Sequence, residues 1–318
     1  METIKMGKSV LDAEYFQNED KAIEYLENLR WGGKPKCHHC SNDEGNYKLR
    51  GKSTRKGLYK CKKCRKPFTV KMGTLFEDAH IPLYICLKAT YLLSASKKGM
   101  SSHQLHRMLG ITYKSAWFLS HRIREAMKDP IFVKKLGGKG KVVEADETFW
   151  GNVGKQKKGA RGWGHKEKIF TLIERDGDVK SFHVENVSAK TLKPIMRKQI
   201  DEETQIMTDD WKAYTGLEKD FAGHDVVNHS IGEYSRGAIH VNNCENYFSI
   251  LKRGLNGVYH HVGSQHLKRY IGEFDFRYNN RKITDSERSD LALKGLQGKR
   301  LLYQNPNEQS QEEIDIPY

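Results

Sequence analysis

Val142-Val143-Glu144-Ala145-Asp146-Glu147-Thr148 is the stretch on which the reading of this chain turns. Its paired valines and the alternation that follows predict a strand, with Asp146 set where burial penalises a charge. Glu144 alternates onto the same strand face as Asp146, while Glu147 falls on the other. Downstream, Ile169–Ile173 and Val179–Val187 read as two more strands, turned at Asp176-Gly177-Asp178. Lys190–Ile200 is expected to be helical, Gln205–Thr208 a fourth strand and Asp225–Asn228 a fifth, before helices near 243–255 and 264–280. Three strands, a helix, a strand and further helices predict an α/β domain: one mixed sheet with flanking helices.

Two more acids share the setting of Asp146. Asp209 closes the apolar run Ile206-Met207-Thr208-Asp209, and Glu245 lies early in the helix that begins near Asn243. Asp210 is the alternative to Asp209, and Glu144 and Glu147 are structural or supporting acids. Carboxylates gathered at one sheet repel one another unless divalent cations bridge them. The hard, oxygen-seeking ion expected there is Mg²⁺ (or Mn²⁺).

Upstream the pattern is helical and metal-binding. Residues 10–30 read as a helix stopped by Trp31-Gly32-Gly33. Cys37-His38-His39-Cys40 and Cys61-Lys62-Lys63-Cys64 then form two C-x2-C turns separated by twenty residues. Four thiolates from two such turns make a closed tetrahedral site, which predicts a structural Zn²⁺ on Cys37, Cys40, Cys61 and Cys64. From Lys48 to Lys71 the ribbon carries eleven Lys or Arg and no acid.

Residues 100–127 predict a short helix, a turn at Gly110 and a second helix from Tyr113, the order of a helix-turn-helix. Lys114, Arg122 and Arg124 on the second helix are the candidate DNA contacts, with Ser115 and His121 beside them. Asp129-Pro130 and Gly137-Gly138-Lys139-Gly140-Lys141 read as a linker, 155–168 as a basic loop, and the acidic stretch from Asn305 as a loose tail.

The bulk composition agrees. The formal charge of +15 over 318 residues favours an anionic partner, and nucleic acid is the usual one. No apolar run is long enough to span a membrane and no signal-peptide pattern opens the chain, so a cytoplasmic, nucleoid-associated protein is expected.

Val143–Thr148, Thr208-Asp209-Asp210-Trp211-Lys212-Ala213-Tyr214 and the stretch from His240 to Gly254 resemble the three motif blocks of a DDE transposase. More narrowly they are similar to bacterial insertion-sequence transposases with an N-terminal zinc ribbon. The segment from Tyr259 to Arg281 is similar to that group's C-terminal signature. The resemblance implies an RNase H-like catalytic domain with Asp146, Asp209 and Glu245 as the D-D-E triad. It also implies Lys252, two helical turns after Glu245, as a catalytic basic residue near the DNA, with Arg253 beside it. Two-metal cleavage and strand transfer on double-stranded DNA follow as the expected activity, with a homodimer or larger assembly on DNA.

The expected organisation is a helical segment at 1–33, a zinc ribbon at 34–72 and the helix-turn-helix region at 73–130. A linker at 131–141, the catalytic domain at 142–285 and a tail at 286–318 complete it. A DNA-binding regulator with idle acids, a nuclease without strand transfer, and a tyrosine recombinase using Tyr259 are the competing readings.

Overall fold

The computed structural model describes residues 9–128, 134–151, 165–228, 232 and 235–302. The basic loop falls outside them up to residue 164, as do Asp129-Pro130 and the acidic tail from Asn305. The first helix, α1 (Glu19–Trp31), is shorter than its pattern predicts, because Asn18 caps it: the Asn18 Oδ1 accepts the N–H of Asp20 at 2.8 Å and of Lys21 at 3.2 Å. Residues 10–16 form two 3₁₀ turns instead.

The ribbon follows as three two-residue strands, β1 (Tyr47–Lys48), β2 (Tyr59–Lys60) and β3 (Pro67–Phe68), paired antiparallel in that order. Its core is small: Cys37, Tyr59, Cys61 and Phe68 are buried, with Trp31 at the end of α1 packed against them. The Tyr59 hydroxyl donates to Glu27 at 3.0 Å and Arg30 donates to the Val70 carbonyl, so α1 holds the ribbon from two sides.

Three helices come next: α2 (Leu83–Ala95), α3 (Ser102–Leu109) and α4 (Tyr113–Met127). Gly110 closes α3 in the left-handed conformation (φ 64°), which glycine adopts without penalty, and Thr112 caps α4 through the N–H of Ser115 at 3.2 Å. These helices share one core with α1. Ile23 and Leu26 pack with Leu83, Leu87, Leu93, Leu105 and Ile123. The separate segment expected at 1–33 is therefore part of the helical region.

The sheet is built from β4 (Val142–Trp150), β5 (Glu167–Glu174) and β6 (Val179–Val184), then β7 (Gln205–Asp209) and β8 (Gly223–Val227). The spatial order is β6-β5-β4-β7-β8. The first three strands are antiparallel, while β7 lies parallel to β4 and β8 parallel to β7. This is the mixed sheet with flanking helices expected for the RNase H-like class.

Alternation along β4 assigns the faces. Val143 and Ala145 pack under α5 (Ala189–Gln199) with Leu192 and Met196, while Trp150 joins the opposite core. That second core holds Tyr247, Phe248 and Leu251 of α6 (Asn242–Gly254), and Leu267, Ile271 and Phe274 of α7 (Ser264–Asn279).

α7 also covers the outer edge of β6. Asp275 Oδ2 accepts the Ser181 N–H at 2.8 Å, and Asn279 exchanges two hydrogen bonds with the Val179 backbone at 2.7 and 3.0 Å. Edge groups that would otherwise recruit another strand are satisfied by side chains.

Two segments pack beyond the bounds that their local pattern suggests. The linker expected at 131–141 is already part of the α/β unit by Leu136, which is buried and bridges to α5's end: its N–H donates to the Gln199 carbonyl at 2.8 Å. The tail expected from 286 instead begins with a helix, α8 (Asp285–Lys294), whose Ala292 and Leu293, with Leu296 beyond, enter the N-terminal helical core. The Leu75 N–H then bonds the Leu296 carbonyl at 3.2 Å. Apolar residues spaced to fill a distant core read locally as nothing more than a short helix.

Candidate active site and zinc centre

The parallel pairing of β4 with β7 sets two of the three acids side by side. Glu144 pairs with Met207, and two residues further along each strand stand Asp146 and Asp209. Both point the same way from adjacent strands, the arrangement parallel register imposes. Asp146 Oδ1 accepts the next residue's N–H at 2.7 Å, and Asp209 Oδ1 accepts the Trp211 N–H at 3.1 Å. Burial, and then the neighbouring carboxylates of Asp209, Glu147 and Glu245, hold the Asp146 carboxyl well above the usual carboxylate range.

Glu245 is exposed in α6's first turn, and its charge is one of those acting on Asp146. Lys252 lies seven residues on and is half-buried. Burial lowers its pKa, Asp146's charge raises it and Lys166 lowers it, so the ammonium and the Asp146 carboxylate share a field. Arg253 is exposed and donates to Ser249 at 2.8 Å.

The three acids do not form a group close enough to share an ion: among the described residues the four cysteines are the one such group, their sulfurs all within 4.8 Å of one another. The donor set nonetheless suits a hard divalent ion. It offers carboxylate oxygens, it is partly withdrawn from water, and it holds mutual repulsion that a cation relieves.

The two supporting acids separate clearly. Glu144 is fully buried and bonded by Arg175 at 2.8 Å and by Asn243, a structural ion pair. Glu147, on the other face, accepts the hydroxyl of buried Tyr214, and burial lifts its carboxyl to about 7. Arg175 is absent from the residues singled out in the sequence, and Tyr214 stands there only as the last residue of the Thr208–Tyr214 block. His240 lies 3.3 Å from Glu144 Oε1, a packing partner rather than a ligand.

The zinc site is compact. The Cys37 and Cys64 sulfurs lie 3.7 Å apart and those of Cys40 and Cys61 3.6 Å. A tetrahedral ion with metal–sulfur bonds near 2.3 Å separates its sulfurs by about 3.8 Å. Ser41 (φ 57°) and Arg65 (φ 61°), each just after a C-x2-C pair, adopt the left-handed turn that lets both thiolates converge. His39 instead bonds the Pro67 carbonyl at 3.1 Å.

On α4 the candidate DNA contacts part company. Lys114 is exposed near the helix start. Arg122 lays its guanidinium 4.5 Å from the Phe118 ring centre and is partly buried. Arg124 is a correction. It is fully buried, pairs with Glu273 at 2.6 Å and with Ser120 at 2.8 Å, and stacks on Tyr259 and Tyr270. His121 is also buried, and neither residue offers a surface to DNA. Tyr259 donates its hydroxyl to the same Glu273 at 2.6 Å, which ties up the group a tyrosine recombinase would need free.

No helix among the described residues is long and apolar enough to cross a membrane.

Residues 135–279 match the family profile of the ISXO2-like transposase domain, a DDE family, and residues 17–67 match the transposase zinc-ribbon domain. A protein of transposable element ISH50 from Halobacterium salinarum, itself uncharacterised, is 26% identical over 281 residues, spanning 82% of this chain and 91% of its own length. A transposase-like protein of Haemophilus influenzae is 28% identical over 118 residues, 37% of this chain and 86% of its own. Both domains stand in order along one chain, a stretch similar to the transposase zinc ribbon ahead of one similar to the ISXO2-like transposase domain.

Proposed function

We propose that this transposase binds the ends of an insertion sequence, cuts the DNA there and joins the freed 3′ ends to target DNA. Asp146, Asp209 and Glu245 are the metal-holding triad. One observation carries the assignment: parallel register sets Asp146 and Asp209 at the same level of neighbouring strands, and α6 brings a third carboxylate whose charge reaches Asp146.

Bound Mg²⁺ or Mn²⁺ ions supply activation of the attacking hydroxyl and neutralisation of charge on the leaving 3′-oxygen. The chain's own groups do the rest. Glu245 and Lys252 lie on the side of α6 that a scissile phosphate approaches, and Lys252 neutralises phosphate charge beside the acids. Arg253 contacts the backbone further along. The basic ribbon and the exposed start of α4 with Lys114 bind the element end, Arg122 adding charge from further along the helix, and Cys37, Cys40, Cys61 and Cys64 hold the structural zinc. Two ends must meet for transfer, so a dimer or larger assembly forms on DNA.

The test uses DNA from the inverted repeats that flank the gene. Asp146→Asn is expected to lower Mg²⁺-dependent cleavage by about 10³-fold or more, the several kcal/mol that such charge stabilisation supplies, with end binding little changed. Cleavage at the wild-type rate would overturn the assignment.

A further inference from the structure

Glu144 is 0% exposed, two residues before Asp146 on the same face of β4. A carboxylate withdrawn so far from water is tolerable only when its oxygens are fully bonded, and its partners show what it holds. Oε2 accepts the backbone N–H of Asn243 at 2.9 Å, and Oε1 accepts the same residue's Nδ2 at 2.8 Å. Arg175 Nε donates to Oε1 at 2.8 Å, and the rest of that guanidinium bonds the carbonyls of Ala238 at 2.7 Å and His240 at 3.0 Å. Every one of these contacts falls on the entry to α6. That helix has no side-chain cap of its own, because Val241 occupies the N-cap position.

From this we infer that Glu144 is a positioning residue: capping α6 from the neighbouring strand, it sets Glu245 against Asp146. The inference rests on the reading of those two acids as metal ligands. Glu144 and Asp146 stand about 6.7 Å apart along one rigid strand. Asn243 and Glu245 are separated by about 3 Å of rise along one helix. Two stiff elements clamped at Glu144–Asn243 fix where the first turn of α6, and with it the backbone of Glu245, stands against β4. The clamp carries charge, so it resists pulling apart more than a neutral pair would.

The experiment compares wild type with Glu144→Gln, which keeps the volume and loses the charge, and with Asn243→Ala, which breaks the contact from the α6 side. In metal-free protein, hydrogen exchange over residues 241–248 is expected to quicken about tenfold in Glu144→Gln and less in Asn243→Ala. Mn²⁺ affinity, measured by calorimetry on zinc-loaded full-length protein, is expected to fall by about tenfold in Glu144→Gln. Introduced into Glu245→Gln, the same change should lower Mn²⁺ affinity no further, because the residue it positions is already gone.

Unchanged exchange and affinity in both single variants would overturn the inference. So would an undiminished loss of affinity in the Glu245→Gln background, since Glu144 would then act elsewhere. Asp146→Asn run in parallel separates the two levels: if it retains full Mn²⁺ affinity, the reading of the acids as metal ligands fails, whatever Glu144 does.

Discussion

Arg124 of α4 and Glu273 of α7 form an ion pair at 2.6 Å with neither side chain exposed to solvent. Arg277, one turn along α7, bonds the other oxygen of Glu273 and reaches the Leu93 carbonyl of α2. The helical region and the α/β domain are thus joined through a buried charge cluster roofed by Tyr259 and Tyr270.

Breaking that cluster from one side leaves an uncompensated charge in the interior. Arg124→Ala and Glu273→Ala are each expected to cost about 3–5 kcal/mol of stability in urea unfolding. DNA affinity measured on the fraction still folded should stay near wild type. Unchanged stability with weakened DNA binding would return Arg124 to the DNA surface.

Lys114 stands in contrast, exposed at the start of α4. Lys114→Ala should weaken binding to all duplexes alike and reduce the slope of log affinity against log salt by about 1. An unchanged slope in a salt titration would mean that this end of α4 does not meet phosphates.

The ribbon's apolar core is a handful of side chains around Tyr59 and Phe68, so metal binding must contribute much of its folding free energy. Purified protein is expected to hold one zinc per chain. Cys61→Ser, or a strong chelator, should remove it and abolish hydrogen-exchange protection over 37–72, while the sheet stays protected. Full protection in zinc-free protein would show that packing alone suffices.

Asp275 predicts a pH dependence. Burial holds its carboxyl up at about 6 against an ordinary 3.8, although bonds from Tyr247 and Ser181 pull it down. The folded state keeps the proton longer than the unfolded chain does. Its contribution is therefore fully present below about pH 4 and lost as pH rises through about 6, a change of about 3 kcal/mol. Asp275→Asn cannot titrate, so relative to wild type it should gain stability by that order between pH 4 and 7. Urea unfolding at stepped pH checks this; a constant difference would mean that Asp275 is already ionised in the fold near pH 4.

Local pattern carried much of this protein. Two C-x2-C turns defined the zinc ligands because each needs only its own few residues to aim its thiolates. The strands from Val142 and Gln205 were legible because alternation and β-branching act along one strand, and their acids stood out for lying in apolar runs. Tertiary structure alone decided which charges stay in water. Lys114 and Arg124 look equivalent along α4, yet α7 covers one and leaves the other exposed. Alternation put Glu144 on the face of Asp146 and Glu147 on the other, but it did not give their partners: α6 and Arg175 claim the first and Tyr214 the second. The residues after 285 looked like a tail until the helical core supplied a place for Leu293 and Leu296. In each case the deciding partner lies far away in sequence, and burial is fixed by the neighbour that arrives rather than by the residue itself.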